Sequence, residues 1–148
     1  MDPLSVAGSI IGILAAAAKV TELVEPYVTS TKDAPKIAVS VHREVNRVRT
    51  VLSSLQNILE NLSSPSNTQR RAAFVQIEPL AVTFTDGVLI FSELESIVAP
   101  LLPPDQNQGL PLMQRFQWAA KKNAISNVLD RLQRFLVSLS AMLNIFQW

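Results

Sequence analysis

Few side chains in this chain are of a type that does chemistry, and their spacing does not favour it. His42 is the single histidine. It follows Val41, an apolar residue of core type, and precedes Arg43, with no second histidine and no carboxylate four residues on. That setting predicts a surface or boundary position rather than a metal ligand. The chain has no cysteine, which removes disulfides, thiolate zinc sites and a cysteine nucleophile together. No Gly-x-Ser-x-Gly elbow is present, and the serines fall in loops or at helix starts. Of four glycines, none stands in a G-x-G-x-x-G or G-x-x-x-x-G-K phosphate loop. Glu93 and Glu95, two apart on a helix, point in different directions, which suits solvent better than paired acid/base work. The expectation is a protein that is not an enzyme, with no catalytic residue, cofactor or metal, working by binding, self-association or membrane contact.

Charge narrows the partners. Thirteen Lys and Arg against twelve Asp and Glu leave a formal charge of +1, which gives no general attraction for nucleic acid or acidic lipid. No nucleic-acid partner is expected, and an anionic membrane would need a local patch. Lys36, Arg43, Arg47 and Arg49 make one helical segment basic, and Glu78, Asp86, Glu93 and Glu95 make another acidic. Lys121, Lys122, Arg131 and Arg134 form a second basic group. Two readings follow: solvated faces with helix-to-helix complementarity, and a docking surface for anionic lipid at Lys36, Arg43, Arg47, Lys121 and Lys122.

The elements that must position these residues are all helical. Asp2 as N-cap and Pro3 at the first helical position open a helix that Pro26 is expected to stop after about Glu25. Asp33 and Pro35 start a second, with apolar residues at Ile37, Val41, Val45, Val48, Leu52, Leu55, Leu59 and Leu62. Steps of three and four, with no alternation of period two, exclude a strand there. Ser63 to Asn67 reads as a loop, and a short helix is expected over Arg70 to Ile77. Pro79 begins a helix with the stripe Leu80, Phe84, Val88, Phe91, Leu94 and Val98, in which Gly87 leaves room for a neighbouring helix. Pro100 to Pro111 is irregular. From Leu112 the chain is helical to its end, with a bend expected near Asn123 and the stripe Ile125, Leu129, Leu132, Leu136, Leu139, Leu143 and Phe146. This predicts an all-α fold, a single domain over 1–148 built as an up-and-down bundle of four to six helices. The apolar content of 48% is high for a lone domain, and some of that surface is available for a partner. The apolar ending Asn144 to Trp148 reads as a domain cut from the amino-terminal part of a longer protein.

The first helix is the most informative. Pro3 to Ala18 carries no charge, yet a signal peptide wants a basic start and none precedes Lys19. Sixteen residues of helix span about 24 Å, short of the roughly 30 Å hydrocarbon core. Bulky and small residues are sorted: Ser5, Gly8, Gly12, Ala16 and Lys19 follow one face, and Val6, Ile10, Ile13, Val20 and Val24 follow the next. Each helical glycine costs about 1 kcal/mol relative to alanine, so a close helix contact is expected at Gly8, Gly12 and Ala16. Both a buried core helix and a membrane-inserting helix fit, and a buried helix can be released.

The segments Met1 to Gly8, Ala16 to Val20, Lys32 to Pro35 and Val41 to Val45, then Leu80, Thr85 to Leu89, Phe91 to Glu95, Arg131 to Gln133 and Leu139 to Ile145, resemble the HeLo-like amino-terminal domain of fungal NLR-type (STAND) proteins over nearly the whole chain. The resemblance implies a cytoplasmic helical bundle in programmed cell death and heterokaryon incompatibility, that is, non-self recognition. It acts when a downstream sensor region of the same chain oligomerises, whereupon the amino-terminal helix reaches a membrane and permeabilises it. The family has no catalytic residues to carry over. Onto this sequence the implied contribution is Leu4, Val6, Ile10, Ile11, Ile13 and Leu14 for membrane insertion, with membrane lipids and further copies of the chain as partners. The alternative is a non-lytic interaction and oligomerisation module whose first helix stays buried.

Overall fold

The computed structural model describes residues 3–29, 35–62, 78–101 and 112–146, with side chains placed for 8–29, 35–58, 82–101 and 116–144. Of the described residues 96% are helical and none is in a strand. The described residues form four helices: α1 (Pro3–Thr29), α2 (Lys36–Leu62), α3 (Glu78–Val98) and α4 (Leu112–Phe146). The fold is an all-α helical bundle. Pro35 accepts the bond that opens α2, Val39 N–H to its carbonyl at 3.2 Å. At the end of α3, Leu101 N–H donates to Val98 O at 3.0 Å, tightening the last turn as orphan carbonyls require. The helix expected at Arg70 to Ile77 and nearly all of the segment Pro100 to Pro111 lie outside the described residues.

Pro26 does not stop α1, which continues to Thr29. A mid-helix proline removes one backbone bond and crowds the preceding turn. Tertiary packing offsets that cost, because the next residue, Tyr27, is 2% exposed and meets Trp118 of α4 edge-on, with ring centroids 5.0 Å apart at 75°. Helix α4 is unbroken through Asn123.

Each helix packs closely against two others. α1 lies against α2 and α3, and α4 against the same two, so α2 and α3 stand diagonally across the bundle. Contacts give the directions. Ile13 of α1 approaches Gly87 and Lys19 approaches Glu95, so α1 and α3 run parallel. Gly87 meets Phe135 and Glu93 meets Arg131, so α4 runs against α3. Residues 30–35 reach at most about 25 Å, whereas α1 is about 40 Å long. Helix α2 must therefore turn back antiparallel. Direction alternates up and down through the four described helices, with α3 placed diagonally to α2.

The stripes read from the sequence face one core. Val41, Val45, Val48, Leu52 and Leu55 are fully buried, as are Ile125, Leu132 and Leu139, and Leu129 is nearly so. The stripe of α3 needs one correction. Val88 is exposed, and its place is taken by Gly87, across which the Phe135 ring lies so closely that a β-carbon there would stand 2.6 Å from Phe135 Cζ. The missing side chain is what lets α4 and α1 close on α3.

Candidate functional site

The described part of α1 has two unlike faces. Ile10, Ile13, Ala17, Val20 and Val24 are fully buried and form the wall of the core shared with α2 and α3. Around the other side, Gly8, Ile11, Gly12, Ala15 and Ala18 are exposed, and the first charged side chain after them is Lys19. Ile11 is 56% exposed, an unusual amount for an isoleucine on an otherwise well-packed helix. The residues expected to enter a membrane are thus divided: Ile10 and Ile13 face inward, Leu14 is half-buried against the core, and Ile11 faces out. The side chains of Leu4 and Val6 lie outside the described set. No described helix is long and apolar enough to cross a membrane.

Among the described residues no neighbour makes the close helix contact expected at Gly8 and Gly12. Both are exposed, and a β-carbon at either would have no heavy atom within 4 Å. Ala16, further round the helix, packs against the core. The tight approach lies at Gly87 instead, where a β-carbon would stand 3.1 Å from Ile13 Cδ1. The physical reason is rotational: Gly8 and Gly12 sit nearly opposite Ile10 and Ala17 on a helix of 3.6 residues per turn.

The basic side chains divide as well. Lys36, Lys121 and Lys122 are exposed. Arg43 and Arg47 turn toward Glu44, at 3.5 Å from Nε and 3.2 Å from Nη1 respectively. Glu44 is only 3% exposed and was missed by the stripe reading, although Ile37, Val41, Glu44, Val48, Val51 and Leu55 follow the same three-and-four spacing. A buried carboxylate must be paired and hydrogen-bonded, so these two arginines first serve the fold. The expected complementarity of basic α2 with acidic α3 is replaced by other pairs, since these helices are diagonal: Glu95 pairs with Lys19 of α1 at 3.5 Å, and Glu93 with Arg131 of α4.

His42 is half-buried, its Nδ1 3.3 Å from the Asn46 amide one turn on, which is the boundary position expected of it. Among the described residues no group of three or more His, Asp or Glu side chains converges on a metal-sized site. Burial pushes the Tyr27 hydroxyl pKa above its ordinary 10.0, and the adjacent Trp118 indole pulls it part of the way back. This aromatic pair ties the diagonal helices α1 and α4, and no sequence periodicity pointed to it. No family model, curated protein or solved structure matches the chain.

Proposed function

We propose that this chain is the amino-terminal effector domain of a fungal NLR-like protein, cytoplasmic at rest, which self-associates and moves to a membrane when a downstream sensor region oligomerises. The supporting observation is the outer face of α1, where Gly8, Ile11, Gly12, Ala15 and Ala18 give more than two turns of exposed surface without a charge. Membrane lipid and the same face of further copies are the partners that suit it, because both cover apolar and small side chains without demanding hydrogen bonds. Lys36, Lys121 and Lys122 supply exposed positive charge for anionic headgroups, each worth about 1 kcal/mol near such a surface. Full insertion would also need Ile10 and Ile13, which must leave the core. A bilayer returns about what they give up, 1.5 to 3 kcal/mol for each large side chain.

A second reading, a non-lytic interaction module, is favoured by the depth at which Ile10, Ile13 and Ala17 are buried. In that case α1 remains in the bundle and its outer face serves only contact between copies.

Leakage of dye from vesicles with and without anionic lipid separates the two. Ile11→Glu alters an exposed position and is expected to leave stability within about 0.5 kcal/mol while abolishing membrane association and leakage. Wild-type protein that oligomerises but never causes leakage puts the interaction module first. Leakage undiminished in folded Ile11→Glu removes the outer face of α1 from the mechanism.

A further inference from the structure

A second surface, between α3 and α4, has the chemistry of a small-ligand site. Helices α3 and α4 flank a half-open cleft of about 310 Å³. Its apolar floor is Ile90 and Phe135, each 4% exposed. Asp86 projects into it from α3 and Arg134 from α4, with the hydroxyls of Thr83 and Ser138 alongside. Arg131 also lines the cleft but is already tied to Glu93.

The charges left over are informative. Asp86 and Arg134 line one cleft from facing helices, yet among the described residues neither forms an ion pair, with the other or with anything else. With Arg131 neutralised, the cleft presents one fixed negative and one fixed positive group, a net charge of zero over an apolar floor. A simple anion would meet Asp86, and a simple cation would meet Arg134. A zwitterion satisfies both.

We propose that this cleft binds a small zwitterion made of a phosphodiester and a primary ammonium, the chemistry of a glycerophosphoethanolamine group. The planar fork of Arg134 suits two phosphate oxygens, and Ser138, whose hydroxyl can donate as well, lines the same cleft. The ammonium goes to Asp86, and the methylenes between the two charges lie on Ile90 and Phe135. The volume is at the lower end of ligand pockets, about 300 to 1,000 Å³, which suits a headgroup-sized molecule. Asp86 also sets a preference: a primary ammonium donates hydrogen bonds to a carboxylate and a trimethylammonium does not, so ethanolamine is selected over choline.

The same group occurs free in water and as a lipid headgroup, and the test separates these sources. Glycerophosphoethanolamine titrated into the full chain, followed by NMR shifts and calorimetry, is expected to bind saturably with Kd of about 1 mM. Glycerophosphocholine, inorganic phosphate and ethanolamine are each expected to bind about tenfold more weakly, as are Asp86→Asn and Arg134→Gln for the cognate ligand. Both positions are exposed, so both variants are expected to fold, with circular dichroism and Tm as the control. Sedimentation with phosphatidylcholine vesicles is then compared with and without phosphatidylethanolamine. Binding that requires phosphatidylethanolamine and is lost in Asp86→Asn assigns the lipid headgroup. Saturable binding of the free diester without that vesicle dependence assigns a water-soluble ligand. Absence of saturable binding, equal binding of inorganic phosphate alone, or indifference to both substitutions overturns the proposal. Ile11→Glu is expected to leave diester binding unchanged, so failure of the α1 reading and failure of the cleft are distinguishable.

Discussion

Gly87 is the residue at which a single added carbon has the clearest consequence. A β-carbon there would stand 2.6 Å and 2.8 Å from the Phe135 ring and 3.1 Å from Ile13 Cδ1, all inside ordinary contact distance. Gly87→Ala is therefore expected to destabilise the fold by about 1 to 3 kcal/mol through overpacking, despite alanine's better helix propensity. Urea denaturation measures it, and Phe135→Leu in the same chain should recover part of the loss by removing the ring that is struck. Tyr27 makes a second case. It is the only tyrosine, and burial raises its pKa above 10.0 in the folded state. The folded protein thus holds the phenolic proton more tightly than the unfolded chain, so this contribution to stability is complete below pH 10 and falls as pH rises through the folded-state value. Alkaline titration of tyrosinate absorbance should lag that of free tyrosine. Tyr27→Phe should remove this part of the stability decline above pH 10.

For α1 as an element, propensity and packing can be separated. Gly8 and Gly12 occupy a helix interior, and a β-carbon added at either meets nothing within 4 Å. Gly8→Ala and Gly12→Ala are each expected to stabilise the monomer by about 0.5 to 1 kcal/mol, the usual glycine-to-alanine difference in a helix. Thermal and urea unfolding check this, and a destabilised alanine variant would mean that a neighbour approaches these positions after all. The small-residue pattern was legible in the sequence, but the reason for it was not. Spacing alone tells which residues share a face, and only the packing of α2 and α3 tells which face is turned inward. The same limit applies to α2, where Glu44 follows the apolar spacing but is charged, so a reading by residue type passes over it.

In the whole molecule, the order of helices around the bundle is testable without a high-resolution experiment. Lys19 and Glu95 are 3.5 Å apart across α1 and α3, within reach of a zero-length carbodiimide coupling between amine and carboxylate. Mass spectrometry should find that cross-link in the monomer and lose it in Lys19→Arg. A bundle in which α1 and α3 stood diagonally instead would not give it. The pair itself is more than half exposed on the lysine side, so its contribution to stability is small. Its value is as a marker of topology.

Periodicity and the three prolines near the helix starts, Pro3, Pro35 and Pro79, determined a good deal. Apolar steps of three and four excluded strands, located four helices within a few residues, and selected Val41 to Leu55 and Ile125 to Leu139 as core. These are local properties, because the helical repeat relates residues one turn apart whatever the rest of the chain does. The tertiary structure decided the rest: that α1 continues past Pro26 because Tyr27 packs on Trp118, and that Gly87 rather than Gly8 or Gly12 is the close approach. It also decided that acidic α3 pairs with α1 and α4, leaving Asp86 and Arg134 facing one cleft. Each of these depends on which helix lies beside which, and at which rotation. No one-dimensional pattern carries that information, since the diagonal placement of α2 and α3 arises from the packing of four surfaces at once.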